Sequence, residues 1–345
     1  MGGLDNVSYS KKETLTFLAR VIDKRARSYK MITLHKLVNF VYLRFGKALK
    51  LFRLLRKHGP LSFVEHFMGI FSGLFLRPPV KLLWPEPKTK TSVSDRSSYI
   101  SVVRWALEEP RVFENFRKIP DYRQILEHVD LEQGKEYLRI ASERLNDVVG
   151  ALDKLSDLST IGNPHRFTFL KSKKLSPTIL RYLKVGTDLN KLFGDLQSQH
   201  IVEVGIGFGG QAAVLNRIWG VKNYKFYDLP EVLELARKFL SRSDSSLEAL
   251  YVDGRSPSGG GVPGIFLSNY AFSELNRSTQ DLYLDNVIEQ CHSGYITWND
   301  LGERLLDGYS IDEILERLPN PEILPELPQT SSNNVIIVWG RTQSL

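Results

Sequence analysis

The sequence predicts an α/β protein, a doubly wound and largely parallel sheet from about residue 196 onward, preceded by a mostly helical N-terminal region. Three observations carry that prediction. After residue 200 short apolar runs alternate with helical segments, and the first of them, HIVEVGIGFGG, runs into a cluster of glycines. Residues 99 to about 195 are instead mostly helical in character, with periodic apolar positions in 120–132 and 137–158.

The elements follow in order. Residues 31–58 read as a long helix, with Leu34, Leu37, Val38, Val41, Phe45, Leu49, Phe52 and Leu55 at spacings of three and four. Basic residues crowd its second half, Gly59-Pro60 ends it, and the apolar run HFMGIFSGLFL (66–76) follows, closed by Arg77-Pro78-Pro79. Eleven residues cannot span a bilayer as a helix. Two readings stand: a docked helix with a solvated basic face, or peripheral contact of residues 31–77 with an anionic membrane surface, where each Lys or Arg adds roughly 1 kcal/mol. Residues 84–98 form a polar linker, Gly162-Asn163-Pro164-His165 a turn, and Ser176-Pro177 a helix start with Ser at the N-cap.

In the C-terminal part, QAAVLNRIWG (211–220) is a helix stopped by Gly220, and Lys225–Asp228 ends a second strand. Leu229-Pro230 opens a helix to about residue 240, and Leu250–Asp253 forms a third strand with its exit at Gly254. Residues 264–272 form a fourth strand, 277–290 a helix and 294–300 a fifth strand. The run VIIVWG (335–340) is a buried strand that returns antiparallel to 321–328.

Composition narrows the function. A single cysteine, Cys291, in 345 residues excludes a disulfide scaffold and a four-cysteine zinc module. The net charge of +7 is unevenly spread: residues 1–90 hold 18 Lys/Arg against 5 Asp/Glu, and residues 91–345 hold 28 against 34. The mildly acidic remainder repels phosphates, and no nucleic-acid-binding module is present, so nucleic acid is not an expected partner. The N-terminus lacks the basic region and apolar run of a signal peptide, so a cytoplasmic protein is expected, peripheral at the inner membrane face if residues 31–77 touch lipid.

The glycine turn fits two patterns. Gly205-x-Gly207-x-x-Gly210 matches a dinucleotide fingerprint, and Glu203-x-Gly205-x-Gly207-x-Gly209 matches the turn that holds S-adenosylmethionine. Glu203 discriminates between them, because a carboxylate beside the turn suits a cationic amino acid moiety and gives a pyrophosphate nothing. Asp228, at the second strand's end, can accept both ribose hydroxyls. Asp253, at the third strand's end, can accept from the adenine amine. Each of the three could instead be a solvated loop carboxylate or a helix cap.

The segments IVEVGIGFGGQAAVLN (201–216), FYDLPEVLELA (226–236) and LSNYAFSELNRSTQDLYLDNVI (267–288) resemble the sugar O-methyltransferase family, bacterial enzymes of class I that use S-adenosylmethionine in glycan or polysaccharide biosynthesis. IGNPHRF (161–167) and LSPTILRYL (175–183) look like that family's pre-domain, and the likeness covers roughly residues 95–340. It implies a class I methyltransferase, Rossmann-like seven-stranded mixed sheet with a helical cap. The expected division is 1–90 as a basic amphipathic extension, 91–195 as a helical cap and substrate region, and 196–345 as the cofactor-binding domain. Glu203, Gly205, Gly207 and Gly209 would take the methionine side, Asp228 the ribose and Asp253 the adenine, with Asn269 and Tyr270 facing the methyl group and acceptor. The sequence departs from the family at GRSPSGGGVPG (254–264), where class I enzymes have a helix.

Methyl transfer to a hydroxyl needs in-line alignment and removal of a proton. The candidates for that proton are Glu274, Asp300 and His165. Glu274 could equally be a carboxylate at a helix N-terminus that stabilises the first turn, and His165 a turn histidine in water. Asn299, Arg181 and Tyr182 are candidates for holding the substrate. A divalent ion such as magnesium on Glu274, Asp300 and sugar oxygens is chemically reasonable, but no compact ligand cluster demands one, and no metal residue is assigned. The expected acceptor is a sugar-containing small molecule or a lipid-linked glycan. An NAD(P)-dependent oxidoreductase and a non-catalytic membrane-associated module are the alternatives.

Overall fold

The computed structural model describes residues 90–96, 98–243, 246–258 and 263–342, all within the compact unit Phe71–Leu345. The basic extension, the helix expected at 31–58 and the proposed membrane contact of 31–77 lie outside the described residues. Among the described residues, no helix is long and apolar enough to cross a membrane.

The helical region begins with α1 (Tyr99–Glu108), α2 (Pro120–Leu126), α3 (Leu131–Arg144) and α4 (Val148–Leu155). The periodicity over 137–158 suggests one helix, and the structure has two. The Asp147 side chain accepts from the Gly150 N–H and caps a fresh helix there, while α3 opens with a capping box between Asp130 and Gln133. A two-residue ladder, β1 (Phe167–Thr168) with β2 (Lys174–Leu175), leads to α5 (Pro177–Phe193). Ser176 caps α5 with Pro177 in the first turn, as the Ser-Pro pair predicts.

The sheet follows: β3 (His200–Val204), α6 (Gly210–Trp219), β4 (Asn223–Asp228), α7 (Pro230–Arg242), β5 (Glu248–Asp253), β6 (Ile265–Asn269), α8 (Arg277–Asn286), β7 (Ser293–Trp298), α9 (Leu301–Leu306), α10 (Ile311–Arg317), β8 (Glu322–Pro325) and β9 (Val335–Trp339). The strand order is β5-β4-β3-β6-β7-β9-β8. Strands β3 to β7 are parallel, and β9 runs antiparallel to both β7 and β8. This is the class I methyltransferase arrangement, a Rossmann-like mixed sheet of seven strands. The strands bury apolar side chains on both faces because helices cover both: one core joins α1, α5, α6 and α7 to the sheet, and a second joins α8 and α10.

Boundaries shift where local chemistry intervenes. The fourth strand stops at Asn269, short of the expected Phe272, because Tyr270 adopts a left-handed backbone with φ of 69°. The helix expected to reach 290 ends at Asn286 and gives way to a short 3₁₀ turn, Ile288–Gln290. No helix joins β5 to β6 among the described residues, which agrees with the glycine-rich sequence there.

One buried ion pair ties the helical region to the glycine turn. Arg117 Nε donates to Glu127 Oε1 at 2.5 Å, and its Nη1 donates to the carbonyls of Leu158 and Ile161 at 3.1 Å each. Glu127 Oε2 accepts from the Ser176 and Thr178 hydroxyls, so the buried charge is surrounded by partners. The Arg117 guanidinium lies 4.4 Å from the ring centroid of Phe208, inside the glycine turn.

Candidate active site

The carboxyl ends of the parallel strands, where the strand order reverses between β3 and β6, form the site expected of an open α/β sheet. The turn after β3 needs its glycines. Gly205 has φ of +80°, and a Cβ there would lie 2.0 Å from the Ala271 Cβ. Gly209 has φ of +85° and occupies the N-cap of α6.

Two carboxylates flank this turn. Asp228 Oδ2 accepts from the Gly207 N–H at 3.2 Å, and its Oδ1 accepts from the Leu229 N–H at 2.8 Å. Desolvation still pushes the Asp228 carboxyl up to about 7, against the lowering effect of those N–H donors. Glu203 is only 2% exposed, and its Oε2 has no hydrogen-bond partner among the described residues. Burial, and then the charge of Asp228, hold its carboxyl well above the usual carboxylate range.

A cavity of about 230 Å³ opens beside the turn. Gly205, Gly207, Asp228, Asn269, Tyr270, Glu274 and Arg181 all line it, so seven of the residues singled out in the sequence meet at one place. A larger hollow of about 470 Å³ lies at the opposite end of the sheet, bordered by the first residues of β3, β4 and β5 (His200, Asn223 and Glu248), and contains none of them. Ligands of open α/β sheets bind at the carboxyl ends, which favours the smaller cavity.

Glu274 sits in the turn after β6, with Oε1 accepting from Asn299 Nδ2 at 2.8 Å. Burial raises its carboxyl, and the Asn299 hydrogen bond lowers it, with burial the larger effect. It does not cap a helix: Asn276 is the N-cap of α8, accepting from the Thr279 N–H. Asn269 is tethered on both sides, its Nδ2 3.5 Å from Gln211 Oε1 and its Oδ1 3.4 Å from the Thr297 hydroxyl. Tyr270 donates its hydroxyl to Glu326 and lies 3.1 Å from the Thr330 hydroxyl.

Other predicted residues stand elsewhere. Asn299 does not line the cavity; it lies behind Glu274 and holds it. Asp300 is off the cavity wall, where Arg304 and Asn333 hold its carboxylate, because β7 ends two residues earlier and the chain turns outward. His165 is exposed, with Nε2 3.2 Å from Arg123 Nη1. Asp253 turns its carboxylate to Arg255, which donates from Nε at 2.9 Å and from Nη2 at 2.6 Å, so Gly254 and Arg255 form that wall instead. The Asp253 carboxyl is accordingly held low by Arg255. Tyr182 is buried against Phe208, with ring centroids 6.0 Å apart, Gly209 packs on Leu240, and Glu203 is buried within β3; none of the three lines the cavity. Among the described residues, no group of three or more His, Cys, Asp or Glu is placed to hold a metal ion.

Of the helical region's residues on the cavity wall, the sequence signals Arg181 and no other. Tyr99, Leu126 and His128 close the cavity from that side, and Asp95 joins them by gathering the Thr91 and Ser92 N–H groups onto its Oδ2. Tyr283 does fall inside the 267–288 block and donates to the Gly254 carbonyl at 3.0 Å.

No protein-family model and no curated protein matches this sequence. Solved structures do. The methyltransferase domain of bacterial CtHen1 aligns over 46% of this chain and 96% of its own, at 11% identity and a TM-score of 0.35. The pyocyanin biosynthetic protein PhzM aligns over 49% of this chain and 58% of its own, at 16% identity and a TM-score of 0.36. A point mutant of MtNAS in complex with S-adenosylmethionine aligns over 69% of this chain and 87% of its own, at 15% identity and a TM-score of 0.36.

Proposed function

We propose that this chain is a methyltransferase that uses S-adenosylmethionine and methylates a hydroxyl of a sugar-containing acceptor, either a small molecule or a lipid-linked glycan. One observation carries the choice of cofactor. A dinucleotide site offers the N–H groups of its glycine turn to a pyrophosphate. Here the Gly207 N–H is already given to Asp228, and the buried carboxylate of Glu203 stands at the start of the same turn. A pyrophosphate would find that N–H taken and the Asp228 carboxyl beside it on the cavity wall. A ligand with ribose hydroxyls supplies donors to Asp228, and a cationic amino acid end over the turn would favour the charged form of the buried Glu203 carboxyl, whose Oε2 has no partner among the described residues.

When bound, S-adenosylmethionine supplies a methyl group made electrophilic by its sulfonium. Asp228 would hold the ribose, and the turn from Gly205 to Gly209 would hold the amino acid end. The attacking hydroxyl must shed a proton as its oxygen forms the new bond, and Glu274 is the carboxylate on the cavity wall that can take it. Burial raises the Glu274 carboxyl, which makes it a stronger base than an exposed glutamate. Asn299 fixes its orientation. The choice of a sugar acceptor is supported by the resemblance of residues 267–288.

The test is an incubation with methyl-labelled S-adenosylmethionine and a panel of nucleotide-activated, lipid-linked and free sugars. Label on a sugar hydroxyl is expected with at least one member. Transfer to protein or small aromatic acceptors with none to sugars would contradict the acceptor assignment.

A further inference from the structure

Arg181, on α5, carries a buried charge that no described carboxylate neutralises. The residue is 8% exposed, and its Nε has no hydrogen-bond partner among the described residues. No carboxylate among them lies within ion-pair distance of it, in contrast to Arg117 with Glu127 and Lys184 with Asp188. Its neighbour is an aromatic ring, that of Tyr182, 5.4 Å from the guanidinium carbon. An arginine cannot escape burial by losing its proton, so the folded protein holds a positive charge here at a cost. His128 registers that charge: burial first, and then Arg181, push its imidazole down to about 4. The ring is therefore neutral and adds no second positive charge.

The position of Arg181 indicates what supplies the missing anion. It lines the main cavity, and also a small recess of about 20 Å³ that runs off beside Asn269, Tyr270 and Thr297. No residue of the glycine turn borders that recess, and neither does Asp228. Glu326 borders it, but one of its oxygens takes the Tyr270 hydroxyl and the other takes the Thr330 N–H and hydroxyl. The cofactor half of the cavity thus lies over β3 and β4, and Arg181 faces the half over β6 and β7.

We propose that Arg181 receives an anionic substituent of the acceptor, a carboxylate or a phosphate, so that the sugar methylated is an acidic one. This rests on the methyl-transfer reading above. The planar guanidinium donates two parallel hydrogen bonds to either oxyanion and fixes the acceptor relative to Glu274. A neutral sugar leaves the buried charge without a countercharge.

The test uses the whole chain and matched probes. S-Adenosylhomocysteine is titrated first, alone. Glucose, glucuronate and glucose 6-phosphate are then added, each with S-adenosylhomocysteine present, and the thermal midpoint is read. At least one of the two acids raises the midpoint, and glucose does not. In turnover, the acidic member is preferred over its neutral partner by about tenfold or more in kcat/KM. R181M removes that preference through KM, R181K keeps part of it, and both bind S-adenosylhomocysteine within about twofold of the parent. Equal behaviour of glucose and both acids overturns the proposal and leaves methyl transfer standing. So does an R181M variant that loses affinity for S-adenosylhomocysteine but not for methylthioadenosine, because the arginine then serves the cofactor's own carboxylate. A parent protein that binds no S-adenosylhomocysteine removes the methyl-transfer reading itself, and this proposal with it.

Discussion

Glu274 Oε1 accepts a hydrogen bond from Asn299 Nδ2 at 2.8 Å, which joins the turn after β6 to the end of β7. Asn299 is itself fixed, its Oδ1 accepting from the Leu301 N–H at 3.1 Å and lying 3.3 Å from the Ser273 hydroxyl. The amide therefore has one orientation, with its N–H₂ toward the carboxylate. The pair presents a partly desolvated carboxylate to the cavity, held at one end and open to a ligand at the other.

If Glu274 takes the hydroxyl proton, Glu274→Gln keeps the shape and removes the base. A fall in kcat of about 10²–10⁴ is expected, with the affinity for S-adenosylhomocysteine unchanged. Steady-state kinetics and a binding isotherm on the same preparation check this; an unchanged kcat removes Glu274 from the role.

Asn299→Ala acts through Glu274. The Asn299 hydrogen bond favours the charged carboxylate, so its loss moves the Glu274 carboxyl further up. The base works deprotonated, and the rate rises with pH through that pKa. The acid limb of the kcat profile should therefore shift to higher pH in the variant. A uniform drop with an unmoved limb would mean that Asn299 serves only packing.

Asp228 makes ligand-free stability depend on pH. Its folded carboxyl is raised to about 7, above the unfolded value of about 3.9, so the native state holds the proton more tightly. Its contribution is fully present below pH 4 and is lost as pH rises to about 7, a change on the order of 4 kcal/mol. Urea midpoints of the parent and Asp228→Asn from pH 4 to 8 check this. The difference between them should move by that amount in favour of the variant as pH rises.

Breaking the Arg117–Glu127 pair leaves a buried charge alone. Glu127→Gln should cost roughly 3–5 kcal/mol, and the double change to apolar residues at both positions should cost less than the single change. Urea unfolding of the three proteins measures it.

Gly205→Ala places a Cβ 2.0 Å from that of Ala271 in a backbone of φ +80°. Both effects destabilise, by about 2–4 kcal/mol together. Adding Ala271→Gly removes the clash and leaves the backbone cost, so the double variant should regain part of the loss in a thermal melt.

The fold was legible from residue 200 onward because each strand is short, apolar and closed by a turn residue: Gly205, Asp228-Leu229-Pro230, Gly254. The antiparallel return was legible from the VIIVWG run after Asn333-Asn334, and it appears as β9 against β8. Helix ends were less so, because Asp147 capping α4 is a side-chain contact that periodicity does not register. The site was legible where a residue follows a strand directly. Asp228, Asn269 and Tyr270 meet in the cavity because the chain delivers them there in register. It was not legible where a neighbour redirects a side chain, as Arg255 does to Asp253 and Arg304 and Asn333 do to Asp300. Nor could the sequence show that Tyr99 and His128, far from the glycine turn along the chain, close the same cavity.

Isothermal titration with S-adenosylhomocysteine, and separately with NAD, tests the central claim most directly. Saturable binding of S-adenosylhomocysteine that Asp228→Ala weakens, with no heat from NAD, is the predicted result. Binding of NAD and none of S-adenosylhomocysteine would contradict it.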